Sequence, residues 1–531
     1  MRLSPSDVPS NDSTRVHGAT LWELVERRAE ATPDRVMAFD AGGNELTFGE
    51  LLDRALGAAA ALSGMGVGPG SRVSWQLPTS FSAMTLVAAL ARLGAVQNPI
   101  LPLYRERELT FIVRQVQPRL LVTRDSWRGV DYRALGDTVL AEVRREDPGF
   151  ACEQLVIDDA LPSAAADLLA PLDPVVADPD AVRWIFYTSG TTGDAKGALH
   201  TDRSMLAGPT AVVDCWQVTG DDVYPMIFPF THVGGVGMLG TQLIAGCTCL
   251  VVDQFDATTT PQLFSRTGIT MLTGATPLAI LFLEAQRRRP DVPLLPDVRV
   301  VCCGAAPKPP DLHANLRDEL GGMGAVSNYG MTEAPSIVLS SVDDGDDALA
   351  TTEGRPRGGA AIRIVDEAGK ACPPNVPGEI RLRGPHLCTG YLDASLDTEA
   401  FDEEGFFRTG DLGTVDEHGN VRLVGRVKDI IIRKGEKISA KELEDVLFSH
   451  PRIGDVAVVG IPDPISGERC CAFVVPRAGG DAPTLDDVVA HCRDAGLARH
   501  KWPERLEIVD DFPRNAIGKV LKQALRATVD A

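Results

Sequence analysis

Positive charge is what this chain has least of for its size. Its 531 residues carry 52 Lys and Arg against 73 Asp and Glu, a net charge of −21. That balance argues against a broad basic face for nucleic acid or an anionic membrane surface. It does not forbid an anionic substrate, because a local loop decides that. Zinc spacing is absent as well. The eleven cysteines are odd in number, and Cys247-x-Cys249, Cys302-Cys303 and Cys470-Cys471 do not make a Cys-x-x-Cys pair. Such thiols fit a reduced, cytoplasmic compartment. No apolar run is long enough to span a bilayer. The best candidate, from Phe81, is broken by Arg92 and then by Asn98-Pro99, and reads as a core helix. Met1 to Arg15 is polar, with Pro and Asp, and does not read as a signal peptide. Thr528-Val-Asp-Ala531 carries no peroxisomal address. There is no internal repeat, low-complexity tract or long linker.

What is present is ordinary globular material. Hydrophobic content of 44% and charged content of 24% suit a soluble fold. The length exceeds one core and predicts at least two domains. Thr20-x-x-Glu23 and Thr47-x-x-Glu50 read as capping boxes opening helices. Arg72–Leu77, Arg119–Thr123 and Thr248–Val252 read as strands. Strands alternating with helices predict a largely parallel sheet covered on both faces. Past about Thr351 the texture becomes short alternating strands, Ala361–Val365, Gly378–Arg383 and Asn420–Val424, which predict a small antiparallel barrel or sheet. After Gly425 an α+β pattern begins, with Ser439-x-x-Glu442 capping a helix to about His450 and a strand at Asp455–Val459.

The chemistry is densest in Tyr187-Thr-Ser-Gly-Thr-Thr-Gly-Asp-Ala-Lys-Gly197, after the apolar strand-like run Trp184–Tyr187. Glycines allow backbone N–H groups to approach an anion closely. The hydroxyls of Thr188, Ser189, Thr191 and Thr192 can donate to phosphate oxygens, and Lys196 adds a point charge. With Gly190 and Gly193 the stretch reads as a polyphosphate cradle rather than a flexible surface loop. It is not a Walker A loop, because Lys196 lies between Ala195 and Gly197. In Asn328-Tyr-Gly-Met-Thr-Glu333, Tyr329 can stack on a base, Thr332 can reach a phosphate, and Glu333 can hold Mg²⁺. Cys303-Gly-Ala-Ala-Pro307 follows an apolar strand and leaves room for a flat ring beside the backbone, though a close-packed turn explains it equally. Asp411 can accept from ribose hydroxyls. Arg426 can reach ribose or phosphate. Gly435, within Lys434-Gly-Glu436, would let a thin pantetheine arm pass, with a simple β-turn as the competing reading.

These segments, with Arg408-Thr-Gly-Asp411, Gly425-Arg-Val-Lys-Asp429 and Asn515-Ala-Ile-Gly-Lys519, closely resemble the signatures of the adenylate-forming superfamily in family order. That superfamily holds acyl-CoA synthetases, adenylation domains and luciferases. The resemblance spans nearly the whole chain. It implies an α/β fold: a large N-terminal domain, 1–427, of mostly parallel sheets and helices with a barrel-like part at about 351–425. A small mobile α+β domain, 428–531, would be hinged at Lys428. It implies ATP, Mg²⁺ and coenzyme A as reaction partners. Adenine would lie near Gly304, Ala305, Ala306, Asn328, Tyr329 and Gly330. Lys519 would be the catalytic lysine that offsets the repulsion between carboxylate and α-phosphate. The Lys434–Glu436 loop would line the thiol tunnel, and His232 would sit near the acyl carboxylate. Ala305 stands where many relatives have glycine, an extra methyl expected to be tolerated.

No charged side chain lies between Pro229 and Leu243, and Thr231-His232 stands where amino-acid adenylation domains usually place an aspartate. An amino-acid substrate is therefore disfavoured. Val233, Gly234 and Gly235 suggest a roomy apolar acyl pocket. Asn98–Glu108 resembles cyclohexanecarboxylate-type and fatty acyl-CoA ligases, implying a medium-chain, alicyclic or steroid-derived acid. Two alternatives remain at this point. One is an enzyme that loads an acyl or aryl acid onto a separate carrier protein. The other is a catalytically inactive binding homologue, against which the presence of Lys196, Glu333, Asp411 and Lys519 argues. A homodimeric state is left open.

Overall fold

The computed structural model describes residues 14–529 except 171–173, 189–194, 254, 307, 310, 435, 478, 480 and 515–518. The centre of the chain is a seven-stranded sheet. Its order is Gly390–Tyr391, Lys196–Thr201, Val182–Thr188, Val96–Pro99, Arg72–Gln76, Leu120–Arg124 and Glu153–Ile157. The last five strands run parallel, and the first two join antiparallel at one edge. The parallel part is made by crossover helices. Phe81–Arg92 is one of these, with Ala83 to Ala91 wholly buried. The apolar run from Phe81 is thus a core helix, and among the described residues no helix is long and apolar enough to cross a membrane. Buried Trp22, Trp75, Trp184 and Trp216 fill the same continuous core.

Two further mixed sheets flank this one. One has the order Val223–Met226, Thr248–Val251, Val36–Asp40, Glu45–Thr47. The other runs Met271–Leu272, Val300–Gly304, Ala325–Met331, Ala334–Leu339, Arg355–Pro356. Strands Ala361–Val365, Gly378–Arg383, Phe407–Val415 and Val421–Arg426 form a four-stranded antiparallel sheet. Its two edge strands do not pair with each other among the described residues, so the barrel-like region takes the open-sheet form. The single 3-10 turn Val427–Asp429 then leads into a separate sheet of five strands, with the helices Ala440–Phe448, Leu485–Asp494 and Lys522–Val529.

Local capping explains several helix starts. At Thr47 the box is complete, with Thr47 and Glu50 each accepting from the other's backbone N–H. At Thr20 only half forms. Thr20 accepts from the Glu23 N–H, but the Glu23 carboxylate accepts from Ala19 instead of Thr20. Ser439 caps as expected, accepting from Glu442, while its hydroxyl also donates to the Val424 carbonyl. That second bond ties the last helix-rich unit to the preceding strand. All eleven cysteines are free thiols, and ten are buried.

Candidate active site

The Tyr187–Gly197 segment is flanked by two paired strands. Val182–Thr188 and Lys196–Thr201 pair antiparallel, with Thr188 opposite Lys196. Trp184 stacks on Phe186 at 5.7 Å and anchors the first strand in the core. Ser189, Gly190, Thr191, Thr192 and Gly193 lie outside the described residues. The pairing brings Thr188 and Lys196, on either side of 189–194, to one place. The Lys196 ammonium stands 5.4 Å from the centre of the Tyr391 ring.

Glu333 is beside that lysine. Its carboxylate Oε1 accepts from the Tyr391 hydroxyl at 2.7 Å, and its carbonyl accepts from the Cys388 N–H at 2.8 Å. Burial raises the Glu333 carboxyl above the usual carboxylate range, while the Tyr391 hydrogen bond and Lys196 oppose the rise. The preceding Thr332 is held by its carbonyl, 2.8 Å from His200 Nε2. His200 Nδ1 lies 2.9 Å from Ser204 Oγ, and burial lowers the ring to about 4, so it is neutral near pH 7.

The Asp411 carboxylate is shared by two donors. The Tyr329 hydroxyl donates to Asp411 Oδ2 at 2.9 Å, and Arg426 Nε lies 2.9 Å from Asp411 Oδ1. Asp411 and Arg426 face each other in adjacent strands, which fixes this pair by register. Tyr329 itself is only 7% exposed and packs in the core with Ile337 and Ile380. Most of the ring is therefore covered by apolar neighbours, and its hydroxyl reaches inward to Asp411. Asn328 Nδ2 donates to Ser336 Oγ at 3.0 Å.

Close approach explains two glycines here. A Cβ on Gly304 would stand 2.6 Å from the Asn328 carbonyl oxygen, and one on Gly330 would stand 2.5 Å from the Ser336 nitrogen. The next residue departs from expectation. Ala305 adopts φ +59, the left-handed region that glycine occupies without penalty. Its extra methyl is carried under backbone strain, not simply tolerated. Ala306 donates from its N–H to the Gly304 carbonyl at 2.7 Å.

Lys519 comes from the far end of the chain into the same neighbourhood. Burial lowers its ammonium to about 8. Nearby Arg426 and Lys428 push the same way, and Asp411 and Asp429 oppose them. Lys428 lies in the 3-10 turn between the two units, and burial lowers its ammonium as well. Lys519, Asp411 and the turn carrying Lys428 are thus one charge cluster. Asn515 to Gly518, in the Lys519 motif, and Pro307 lie outside the described residues. Lys434 and Gly435 connect Ile430–Arg433 to Glu436–Ser439, with Arg433 opposite Glu436. Lys434 takes φ +52, and its N–H donates to the Ser466 carbonyl at 2.7 Å. Gly435 lies outside the described residues.

His232 caps the helix Val233–Ala245, accepting at Nδ1 from the Gly234 N–H at 3.1 Å. Burial lowers the ring to about 4, so it is neutral near pH 7, with its proton on Nε2. His232, Val233 and Thr332 line one small cavity with Ile100, Tyr104 and Phe186. Its volume is about 20 Å³, enough for one water and not for an acyl chain. The roomy pocket expected from the glycines is not formed here. Gly235 is used for close packing instead, since a Cβ there would stand 2.7 Å from Phe230 Cα and from the Pro229 carbonyl oxygen.

The sequence reading missed Tyr391 and His200. Neither lies in a motif singled out above. Both act through partners remote in the chain, so no local spacing could reveal them.

Similarity to known proteins agrees with this geometry. The family model described as AMP-binding enzyme matches residues 25–392, and AMP-binding enzyme C-terminal domain matches 442–519. The chain belongs to the AMP-binding enzyme family and, with it, to the adenylate-forming acid–thiol ligases. It is 31% identical over 528 residues to a medium-chain fatty-acid–CoA ligase of Escherichia coli (strain K12), covering 96% of this chain and 90% of that one. It is 33% identical over 516 residues to a 3-[(3aS,4S,7aS)-7a-methyl-1,5-dioxo-octahydro-1H-inden-4-yl]propanoyl:CoA ligase of Rhodococcus jostii (strain RHA1), covering 94% and 97%. Among solved structures it resembles ATP-bound MatB from Rhodopseudomonas palustris, with TM-score 0.82, 29% identity and coverage of 96% and 99%.

Proposed function

We propose that this chain joins an apolar carboxylic acid to coenzyme A in two steps, with 1–427 and 428–531 as its moving units. The observation that carries this reading is Lys519 beside Asp411 and Arg426. This neighbourhood supports a lysine from the C-terminal unit acting at the groups here assigned to ribose and phosphate. In the first step a carboxylate oxygen of the acid attacks the α-phosphorus of ATP. The bond from that phosphorus to the β-bridging oxygen breaks, and pyrophosphate leaves. Two anions must meet, and Lys519 neutralises charge that builds on the transferring phosphorus. Thr188 to Gly193, Lys196 and Thr332 hold phosphate oxygens. Gly304, Ala305, Ala306, Asn328, Tyr329 and Gly330 border adenine, while Asp411 and Arg426 hold ribose.

A divalent cation fits one point of this site. Among the described residues no cluster of three acidic, His or Cys ligands exists. Glu333 alone, beside the phosphate loop, suits Mg²⁺, which takes one or two carboxylates and completes its shell with water and substrate phosphates. Bound there, it would supply charge neutralisation on the leaving pyrophosphate.

In the second step the C-terminal unit turns about Lys428. Lys519 leaves, and the Lys434–Glu436 turn comes in to border the pantetheine arm. The thiolate sulfur of coenzyme A attacks the acyl carbon, the acyl–phosphate C–O bond breaks, and AMP departs. His232, neutral and donating from Nε2, orients the acid and is not a proton carrier.

The acid class rests on the lining of the small cavity, apolar except for Thr231, His232, Thr332 and Tyr104 and Tyr187. Acid entry needs the cavity to enlarge. Apolar burial contributes about 25 cal/mol per Å², so each buried methylene should raise kcat/KM several-fold until the space is full. The test is AMP release with ATP, Mg²⁺ and coenzyme A across acetate to octanoate, cyclohexanecarboxylate, benzoate, a steroid side-chain acid and phenylalanine. An optimum at a bulky apolar acid is expected. An optimum at acetate or phenylalanine overturns the apolar assignment and leaves the adenylate chemistry standing. Thioester made only when a carrier protein replaces coenzyme A would overturn the acceptor.

A further inference from the structure

Tyr391 lies outside every motif that the proposed chemistry uses, yet it touches two of its groups. Its strand, Gly390–Tyr391, is the edge of the seven-stranded sheet and pairs antiparallel with Lys196–Thr201, placing Tyr391 opposite Ala198. Side chains two apart on a strand share a face, and diagonal neighbours across a pair lie within reach of long side chains. Lys196 is two residues from Ala198, so it is the diagonal neighbour of Tyr391. That register is why the ammonium meets the ring at 5.4 Å. The hydroxyl at the far end of the ring donates to Glu333 Oε1 at 2.7 Å.

The tyrosine is itself firmly held. Its N–H donates to Asp397 Oδ1 at 2.9 Å. Asp397 can come that close because Gly390 has no side chain; a Cβ there would stand 2.7 Å from Asp397 Oδ2. Tyr391 is 4% exposed and packs with Ala198, Cys388 and Phe407. A ring buried this well cannot shift without disturbing the sheet edge.

We infer that Tyr391 is a positioning residue that fixes the phosphate-side cation and the metal-side carboxylate in one geometry, its ring seating Lys196 and its hydroxyl aiming Glu333. By occupying Oε1 from one side, it sets the rotation of the carboxylate and so the direction of the second oxygen, Oε2. A carboxylate aimed in advance binds a hard cation without first being ordered. This inference rests on the assignment of Glu333 to the metal.

The two ends of the ring can be tested separately. Tyr391→Phe keeps the ring and removes the hydroxyl. Tyr391→Leu removes both. The full chain is loaded with a non-hydrolysable ATP analogue, and Mn²⁺ binding is read by the loss of the free-ion paramagnetic signal. Analogue binding is also measured by calorimetry in EDTA. A lost hydrogen bond of ordinary strength corresponds to a change of about fivefold. Tyr391→Phe should weaken Mn²⁺ retention by about that factor while metal-free analogue binding stays within twofold. Tyr391→Leu should weaken both. On a Glu333→Gln background the Tyr391→Phe effect on Mn²⁺ should vanish, because the two groups act as one pair. Normal Mn²⁺ retention in Tyr391→Phe, with Glu333→Gln impaired, overturns the inference alone. So does an undiminished Tyr391→Phe effect in the Glu333→Gln background. Normal Mn²⁺ retention in Glu333→Gln overturns the metal assignment and the inference with it.

Discussion

The two cationic corners of this site are built by different means. Lys196 is placed by strand register inside the large sheet and rests on an aromatic ring. Lys519 is placed by a neighbourhood of charges, Arg426, Asp411, Lys428 and Asp429, that spans the turn between two separately folded units. Hydrogen-bond register cannot be released without unmaking the sheet. A charge cluster between units can be released by a rotation, because regained hydration of the buried charges offsets most of the attraction lost. The first corner is suited to holding phosphate throughout a reaction, and the second to being present for one step only.

The largest effect expected from this contrast is a split between half-reactions. Lys519→Ala should lower adenylate formation, read as pyrophosphate exchange, by about 10²–10³-fold, the size seen when one charge-stabilising donor is removed. Thioester formation from a supplied acyl-adenylate should change no more than a few-fold. Equal loss in both half-reactions would mean that Lys519 does not leave the site.

The pH dependence sharpens the same contrast at a smaller scale. Burial lowers Lys519 from an ordinary 10.5 to about 8 in the docked arrangement. Between those values the docked arrangement binds fewer protons than one with the lysine in water, so rising pH favours docking. The same rise removes the charge that adenylation needs. The kcat/KM for ATP, which reports the free enzyme, should therefore fall as pH rises through about 8. Lys519→Arg, whose guanidinium keeps its charge throughout this range, should show no such fall. A fall of the same size in Lys519→Arg would assign the titration to another group.

This division also explains what could be read from the sequence. The strand leading to the glycine-rich stretch before Lys196, the helix from Phe81 and the caps at Thr47 and Ser439 were legible, because each depends on residues close together in the chain; the strand Lys196–Thr201 was not read. The motif residues Asp411 and Arg426 were legible as chemistry, and register brought them together as a pair. Tyr391 was not legible. Its role depends on an edge strand pairing with one remote in the chain, and a lone tyrosine carries no local sign of that. The glycines after His232 pose a related ambiguity. A glycine can open space or permit contact, and Gly235 does the second, since its neighbours are backbone atoms. Ala305 differed because a backbone dihedral is invisible in composition.

Gly304 and Ala305 carry the comparison down to single methyl groups in the large unit, at the residues proposed to border adenine. Gly304→Ala should be destabilising by about 1–3 kcal/mol, the usual cost of overpacking, because its Cβ would meet a backbone oxygen that cannot swing away. Chemical denaturation monitored by fluorescence would measure it, and an unchanged midpoint would mean that the Asn328 strand yields.

Ala305→Gly should act in the opposite direction and with the smallest effect. The left-handed backbone at φ +59 costs an alanine about 1–2 kcal/mol that glycine does not incur. Glycine gives back about 0.5–1 kcal/mol through the larger conformational freedom of its unfolded chain. The side chain is exposed, so no core contact is lost with the methyl. The difference leaves a net stabilisation of up to about 1.5 kcal/mol. The midpoint of chemical denaturation should rise without a change in slope, and the KM for ATP should stay within about twofold. A fall in stability would show that the methyl makes a contact worth more than the strain. A rise in stability with a much weaker ATP interaction would show that the strained alanine is retained for the nucleotide, and would make this wall, like the Lys519 corner, a place where stability is given up for binding.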